Sequence, residues 1–197
     1  MIEAVSGFAD PARGSARAFR LMLDAMAHPG RIVAMPATVE APQPLLPSAA
    51  AICLTLCDHD TPLWLDDALR RPAVLDHLRF HCGAPMVAEA ASARFLLCSR
   101  TSAAAALAAA DRGTAEYPDA SATLIVQVDE LRSGGRLLLE GPGIDGTRDF
   151  RACGLDSRFW DLMAANHAAF PLGADIFFAA PGEIAALPRS TRMKEEA

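Results

Sequence analysis

The run Thr123-Leu124-Ile125-Val126-Gln127-Val128 constrains the fold more than any other stretch of the chain. β-Branched residues fill its centre, and these suit an extended, pleated backbone, so the run reads as a strand. Before it, segments of helical period alternate with strands. Phe19, Met22, Leu23 and Met26 fall at i, i+3, i+4 and i+7, one apolar face of a helix from about Ser15 to Ala27. His28-Pro29-Gly30 ends that helix, because proline cannot continue it and glycine accepts the turn. Arg31 to Met35 then reads as a strand, and Pro36 to Pro47, with four prolines, as an extended connection. Ser48 is placed to cap a second helix, Ala49 to Cys57, apolar all round and therefore buried.

Asp58-His59-Asp60-Thr61-Pro62 is a polar turn and Leu63-Trp64-Leu65 a short strand. Asp66 to Cys82 reads as two short helical pieces broken at Arg71-Pro72. Arg94 to Cys98 is a strand and Thr101 to Asp111 a helix. After the 123–128 strand, Gly134-Gly135 turns into Arg136 to Glu140, and the two segments are expected to form a hairpin. Ser157 to Ala169 is a helix with Phe159, Trp160, Leu162 and Met163 on a broad apolar face; Ile176 to Ala179 and Ile184 to Leu187 are late strands. Helices and strands alternate first and strands cluster later. The expectation is an α/β fold: one domain over residues 1–197, a mixed sheet layered with helices, with a polar tail from about residue 190.

Composition narrows the function classes. A chain of 197 residues, 52% hydrophobic, can bury a substantial core. Its net charge of -6 gives no general attraction to phosphate backbones, so nucleic acid is not an expected partner. Met1 to Val5 lacks a basic region followed by an apolar run, and nothing approaches the roughly 18–20 apolar residues of a membrane span. A cytoplasmic protein without a membrane partner is expected. The five cysteines are odd in number and scattered, as befits free thiols in or near a core. Lys194 is the only lysine; the other 17 basic side chains are arginines.

Three constellations are candidates for chemistry. Arg79 and His81 lie near Asp58, Asp60 and Thr61 in sequence. A guanidinium binds phosphate in bidentate fashion and an imidazole adds a hydrogen bond, so the set suits a small anion or nucleotide pocket, or equally a salt-bridge cluster fixing loops. Gly141-Pro142-Gly143-Ile144 follows a strand. Its glycines let backbone approach a phosphate, or simply make a tight turn; it is neither a Walker motif nor GxGxxG. Cys53 and Cys57, with His59 and two aspartates beyond, lack the paired spacing of a zinc motif, so no metal is expected. No serine, cysteine or carboxylate sits in a recognisable nucleophile motif.

Several segments together resemble one family. They are Gly7 to Pro11, Phe19-Arg20, Ala25 to Gly30, Leu54-Thr55-Leu56, Asp58 to Leu65, Leu78 to Pro85, Ala122 to Ile125, Leu139 to Ile144, Phe170 to Asp175 and Leu187 to Thr191. In this order they resemble the PhnH family of the bacterial carbon–phosphorus lyase machinery. The resemblance implies a fold like the large domain of pyridoxal-phosphate (PLP)-dependent transferases, a homodimer, and a core complex with PhnG, PhnI and PhnJ. It also implies a requirement, together with PhnG, PhnI and PhnL, for transfer of ribose triphosphate from ATP to an alkylphosphonate with loss of adenine. PhnJ would later break the carbon–phosphorus bond. The family offers no established catalytic residue on this subunit. PLP chemistry needs a Schiff-base lysine, and Lys194 stands in the polar tail, so the scaffold is expected without PLP or another cofactor, ATP being a substrate of the complex. A purely structural assembly subunit and an autonomous small-molecule transferase are the alternatives.

Overall fold

A computed structural model describes residues 7–36, 39–135 and 137–195. Met1 to Val5, Arg136 at the head of an expected strand, and the last two residues of the expected tail lie outside the described residues. The elements are α1 (Pro11–Ala27), β1 (Val33–Ala34), α2 (Pro47–Leu56), β2 (Leu63–Leu65), α3 (Pro72–Cys82), β3 (Phe95–Ser99), α4 (Ala103–Ala109), β4 (Thr123–Gln127), β5 (Leu131–Arg132), β6 (Leu137–Glu140), β7 (Arg148–Asp149), β8 (Arg151–Ala152), α5 (Ser157–Ala168), β9 (Asp175–Ala180), β10 (Glu183–Leu187) and β11 (Arg192–Glu195).

A six-stranded mixed sheet runs β1-β10-β9-β4-β3-β2. β4 sits inside it, parallel to both β3 and β9, and its Leu124, Ile125 and Val126 are fully buried. A strand covered on both faces reads as a continuous apolar run, which is what residues 124–126 are. Successive side chains point to opposite faces. Leu97, Ile125 and Phe177 therefore meet α1, α2 and α3, while Leu96, Leu124, Val126 and Phe178 meet α4 and α5. β9 and β10 are joined by the two-residue turn Pro181-Gly182, with Gly182 at φ +78°.

The expected hairpin between 123–128 and 136–140 does not form. Both edges of β4 are occupied by parallel neighbours, and β6, less buried, pairs instead with β11 and β7 in a separate three-stranded sheet. β11 takes in residues read from sequence as polar tail; Lys194 and Arg192 both ion-pair with Glu140 of β6 across it.

Helix α1 starts four residues earlier than expected. Asp10 caps it, accepting from the Arg13 amide at 3.1 Å, and Pro11 opens the first turn. Its buried face is also different: Ala18, Met22 and Ala25 pack inward, while Phe19 and Leu23 are 49% and 58% exposed. Alanines take two of the three inward positions, where α1 packs on α2, itself lined by Ala49, Ala50 and Ile52. Ser48 is not the cap of α2; it lies inside the first turn and its hydroxyl donates to the Ala180 carbonyl at 2.7 Å. The break at Arg71-Pro72 is the start of α3, and the stretch before it is turn, organised by Asp66 accepting from the Leu69 amide at 3.0 Å. α5 is capped by Asp156, and its Phe159 and Met163 are buried, each worth roughly 1.5–3 kcal/mol.

Candidate functional site

Two arginines and a histidine line a concavity where α1 ends. His28 caps the helix, its amide donating to the Asp24 carbonyl, and its Nδ1 lies 3.1 Å from Asp24 Oδ1. Gly30, at φ +74°, donates its amide to Ala186 of β10 at 3.0 Å and so ties the turn to the large sheet. Pressing on this turn is the loop after β6. A Cβ on Gly143 would stand 2.1 Å from the Ala27 carbonyl oxygen, and one on Gly30 would stand 2.4 Å from Leu139 Cδ1. Two glycines thus allow backbone and side chain to approach where any larger residue would collide.

Arg148 of β7 locks the two loops together. Its Nη1 donates to the carbonyls of His28 and Pro29 at 3.1 and 2.8 Å. Arg31, from the same turn, donates to Asp24 Oδ1 at 3.1 Å. The resulting cleft holds about 540 Å³ and is lined by Arg31 and Arg148, the His28 imidazole, and the hydroxyl-bearing residues Ser133 and Thr147, with Asp149 bringing one carboxylate. Carbonyls fix the Arg148 guanidinium without neutralising it, and among the described residues it has no carboxylate partner. A fixed guanidinium with a second arginine, an imidazole and hydroxyls nearby suits a small oxyanion such as a phosphonate or phosphate.

The residues singled out from sequence fall in two neighbourhoods, and among them Gly143 packs on the cleft-forming turn. Asp58, Asp60 and Thr61 form a self-contained turn: Thr61 Oγ1 accepts from the Asp58 amide, and Asp58 Oδ1 accepts from the Asp60 amide at 2.9 Å. The turn precedes β2. Arg79 is exposed on α3 and forms no ion pair with either aspartate; His81 packs against His77 and Phe80 with ring centroids 4.5 and 5.0 Å apart. His81 lies where a Cβ on Gly7 would meet its ring, just before α1. Gly141 and Gly143 are at the other end of α1, about 25 Å away for 17 helical residues. Gly141 packs on the Ser190 carbonyl and Gly143 on that of Ala27. Gly143 therefore shapes the cleft by close packing, and Arg79 and His81 are not brought to it. Arg31, Arg148, Ser133 and Thr147 were missed, since nothing in their spacing joins residues about 120 apart; the one signal was that His28-Pro29-Gly30 and Gly141-Pro142-Gly143 are both built for close backbone approach.

Two other places hold reactive groups that are paired or buried. At the carboxyl ends of the parallel strands, where open α/β sheets commonly bind ligands, Arg100 pairs with Asp129 at 2.9 Å. Buried Asp66 there accepts from the Ser99 amide and hydroxyl at 2.9 and 2.6 Å. The thiols of Cys53, Cys57 and Cys82 cluster under α2 and α3. The hydrogen bond to Cys57 and burial push the Cys53 thiol well up, and burial pushes Cys82 up to about 12, so both stay protonated. Among the described residues no group of three or more His, Cys, Asp or Glu side chains is arranged to hold a metal ion, and no helix is long and apolar enough to cross a membrane.

Comparison with known proteins gives this geometry a family. Residues 6–194 match the family model described as bacterial phosphonate metabolism protein (PhnH). The chain is 38% identical over 189 residues to the alpha-D-ribose 1-methylphosphonate 5-triphosphate synthase subunit PhnH of Rhizobium meliloti (strain 1021), covering 96% of this chain and 94% of that protein. It is 31% identical over 179 residues to the "Putative C-P lyase subunit protein HtxG" of Stutzerimonas stutzeri, covering 89% of this chain and 84% of that protein. The segments that shape the cleft, Ala25 to Gly30 and Leu139 to Arg148, lie inside all of that matched length, and the chain belongs to the PhnH family of bacterial phosphonate metabolism proteins.

Proposed function

We propose that this chain is a subunit of the complex that places ribose triphosphate from ATP on an alkylphosphonate, and that its cleft at His28, Arg31 and Arg148 receives the phosphonate or a phosphate of the growing product. The observation that carries the reading is the Arg148 guanidinium, pinned by two carbonyls and, among the described residues, left without a carboxylate. The name of the Rhizobium relative supports the reaction class. The cleft binds and orients an anion and does not itself break a bond, so chemistry falls to other subunits. PhnG, PhnI and PhnJ are the proposed core partners, with PhnL joining for the transfer, and the chain is proposed to pair with a second copy of itself in the cytoplasm.

A scaffold like the large domain of PLP-dependent transferases, working without PLP, belongs to the same proposal. Its support is that Lys194 stands on β11 and is engaged with Glu140 at 2.7 Å. Calorimetric titration of methylphosphonate, inorganic phosphate and ATP into the wild-type complex, Arg148→Ala and Thr147→Val tests the cleft. The expected result is at least a ten-fold loss of anion affinity in Arg148→Ala, equivalent to about 1.4 kcal/mol, with unchanged circular dichroism. Equal affinity in all three would leave the alternative of a purely structural subunit; turnover by the isolated chain would favour the autonomous transferase.

A further inference from the structure

Helix α1 carries two apolar faces, and among the described residues only one of them packs into the core. Ala18, Met22 and Ala25 face the core. Ala12, Ala16, Phe19, Leu23 and Ala27 are all exposed and fall at spacings of four, three, four and four, a continuous stripe along the opposite side. Phe19 and Leu23, 49% and 58% exposed, stand at its centre one turn apart. Scattered single apolar residues on a surface need no explanation, but a seam with coiled-coil spacing along a whole helix does.

Beside the stripe runs a row of arginines, Arg13, Arg17 and Arg20. Arg17 and Arg20 have no ion pair among the described residues, and Arg13 has only a 3.7 Å contact with exposed Asp10. Asp24, the only carboxylate within α1, is already shared by Arg31 and His28. On a chain of net charge -6 this is a local reversal of sign.

We infer that the outer face of α1 seats an amphipathic helix of a different subunit, with apolar residues for the Phe19–Leu23 seam and a row of carboxylates for Arg13, Arg17 and Arg20. The charges select that occupant over a second copy of this chain. Two copies of α1 packed antiparallel about a two-fold axis would set arginine row against arginine row, and packed parallel they would offer no free carboxylate to either. The surface rests on the proposal that the chain works in a complex.

The test uses the full chain co-expressed with the other subunits of its complex. Size exclusion follows assembly of wild type, Phe19→Ser with Leu23→Ser, and Arg17→Glu with Arg20→Glu. Both variants leave the Ala18, Met22 and Ala25 core contacts intact, and circular dichroism checks that each folds. The expected result is assembly weakened at least about ten-fold in both, and wild-type assembly that weakens with added salt. A photo-crosslinker at position 19 is expected to reach an acidic helix of a companion subunit, and one at exposed Tyr117 is not. Wild type that never co-elutes would remove the complex and this surface together. Wild type that assembles alongside unaffected variants would remove the surface alone, as would a crosslink to a second copy, or sedimentation of the isolated chain with phosphatidylserine vesicles that the variants lose.

Discussion

Asn166 offers the sharpest test of how the second layer is held on the sheet. It is buried at 2% exposure on the inner face of α5, and its amide satisfies both backbone groups of one residue, Ala174, which is itself fully buried at the head of β9. Oδ1 accepts from the Ala174 amide at 2.8 Å and Nδ2 donates to the Ala174 carbonyl at 2.9 Å. Replacement by alanine orphans a donor and an acceptor that water cannot reach. At about 1–3 kcal/mol each, the loss is about 4 kcal/mol, a large share of the 5–15 kcal/mol typical of a domain. With a urea m-value of about 2 kcal/mol/M, the midpoint falls by about 2 M, measured by circular dichroism. Asn166→Asp sharpens the test. An ionised aspartate keeps the acceptor but turns its second oxygen on the Ala174 carbonyl, so its folded pKa is raised above the unfolded value of about 3.9. The penalty is full at neutral pH and fades as pH falls through that raised folded pKa, where the protonated acid can donate. A midpoint shift under about 0.5 M for Asn166→Ala, or an Asn166→Asp penalty that does not shrink on acidification, would refute the reasoning.

Gly143→Ala meets a carbonyl oxygen at 2.1 Å from a φ of +82°, so it is expected to cost about 2 kcal/mol or more in thermal stability and to weaken anion binding in the cleft along with it; an unchanged melting temperature would show that the loop is not packed on α1. Glu140 is held below the ordinary carboxylate range by hydrogen bonds first from Lys194 and then from Arg192. Its contribution to docking β11 is present above the unfolded carboxylate pKa and is lost as pH falls through the lower folded value. Amide exchange of β11 relative to β4 is therefore expected to speed up on acidification in wild type, and to be insensitive to pH over that window in Glu140→Gln.

Local chemistry was legible where it decided the outcome alone. The β-branched run at 123–128 is the strand at the heart of the sheet, His28-Pro29-Gly30 ends the first helix, and Arg71-Pro72 marks a real boundary. Errors arose where a neighbour distant in sequence decided. Period 3.6 shows that α1 has apolar positions but not which of two stripes faces α2, and alanine won because two helices come close there. The expected hairpin failed for the same reason: β6 and β4 are near in sequence, yet β3 and β9 fill both edges of β4. For the cleft, sequence offered the glycines that permit contact and not the arginine that uses it.

The grip of Arg148 on His28 and Pro29 spans 120 and 119 residues of chain. Closing so long a loop carries an entropy cost of about 4 kcal/mol by the logarithmic law, and contacts of such range are slow to form. During synthesis α1 and α2 can pair early, being close in sequence, whereas the cleft has no existence until the strand bearing Arg148 has been delivered. Its geometry is thus a certificate of completion: a truncated or half-collapsed chain can present the first helix, but not the anion pocket at its end. An anion seated there would bind only the finished molecule, and would hold the two distant parts of the chain closed against each other.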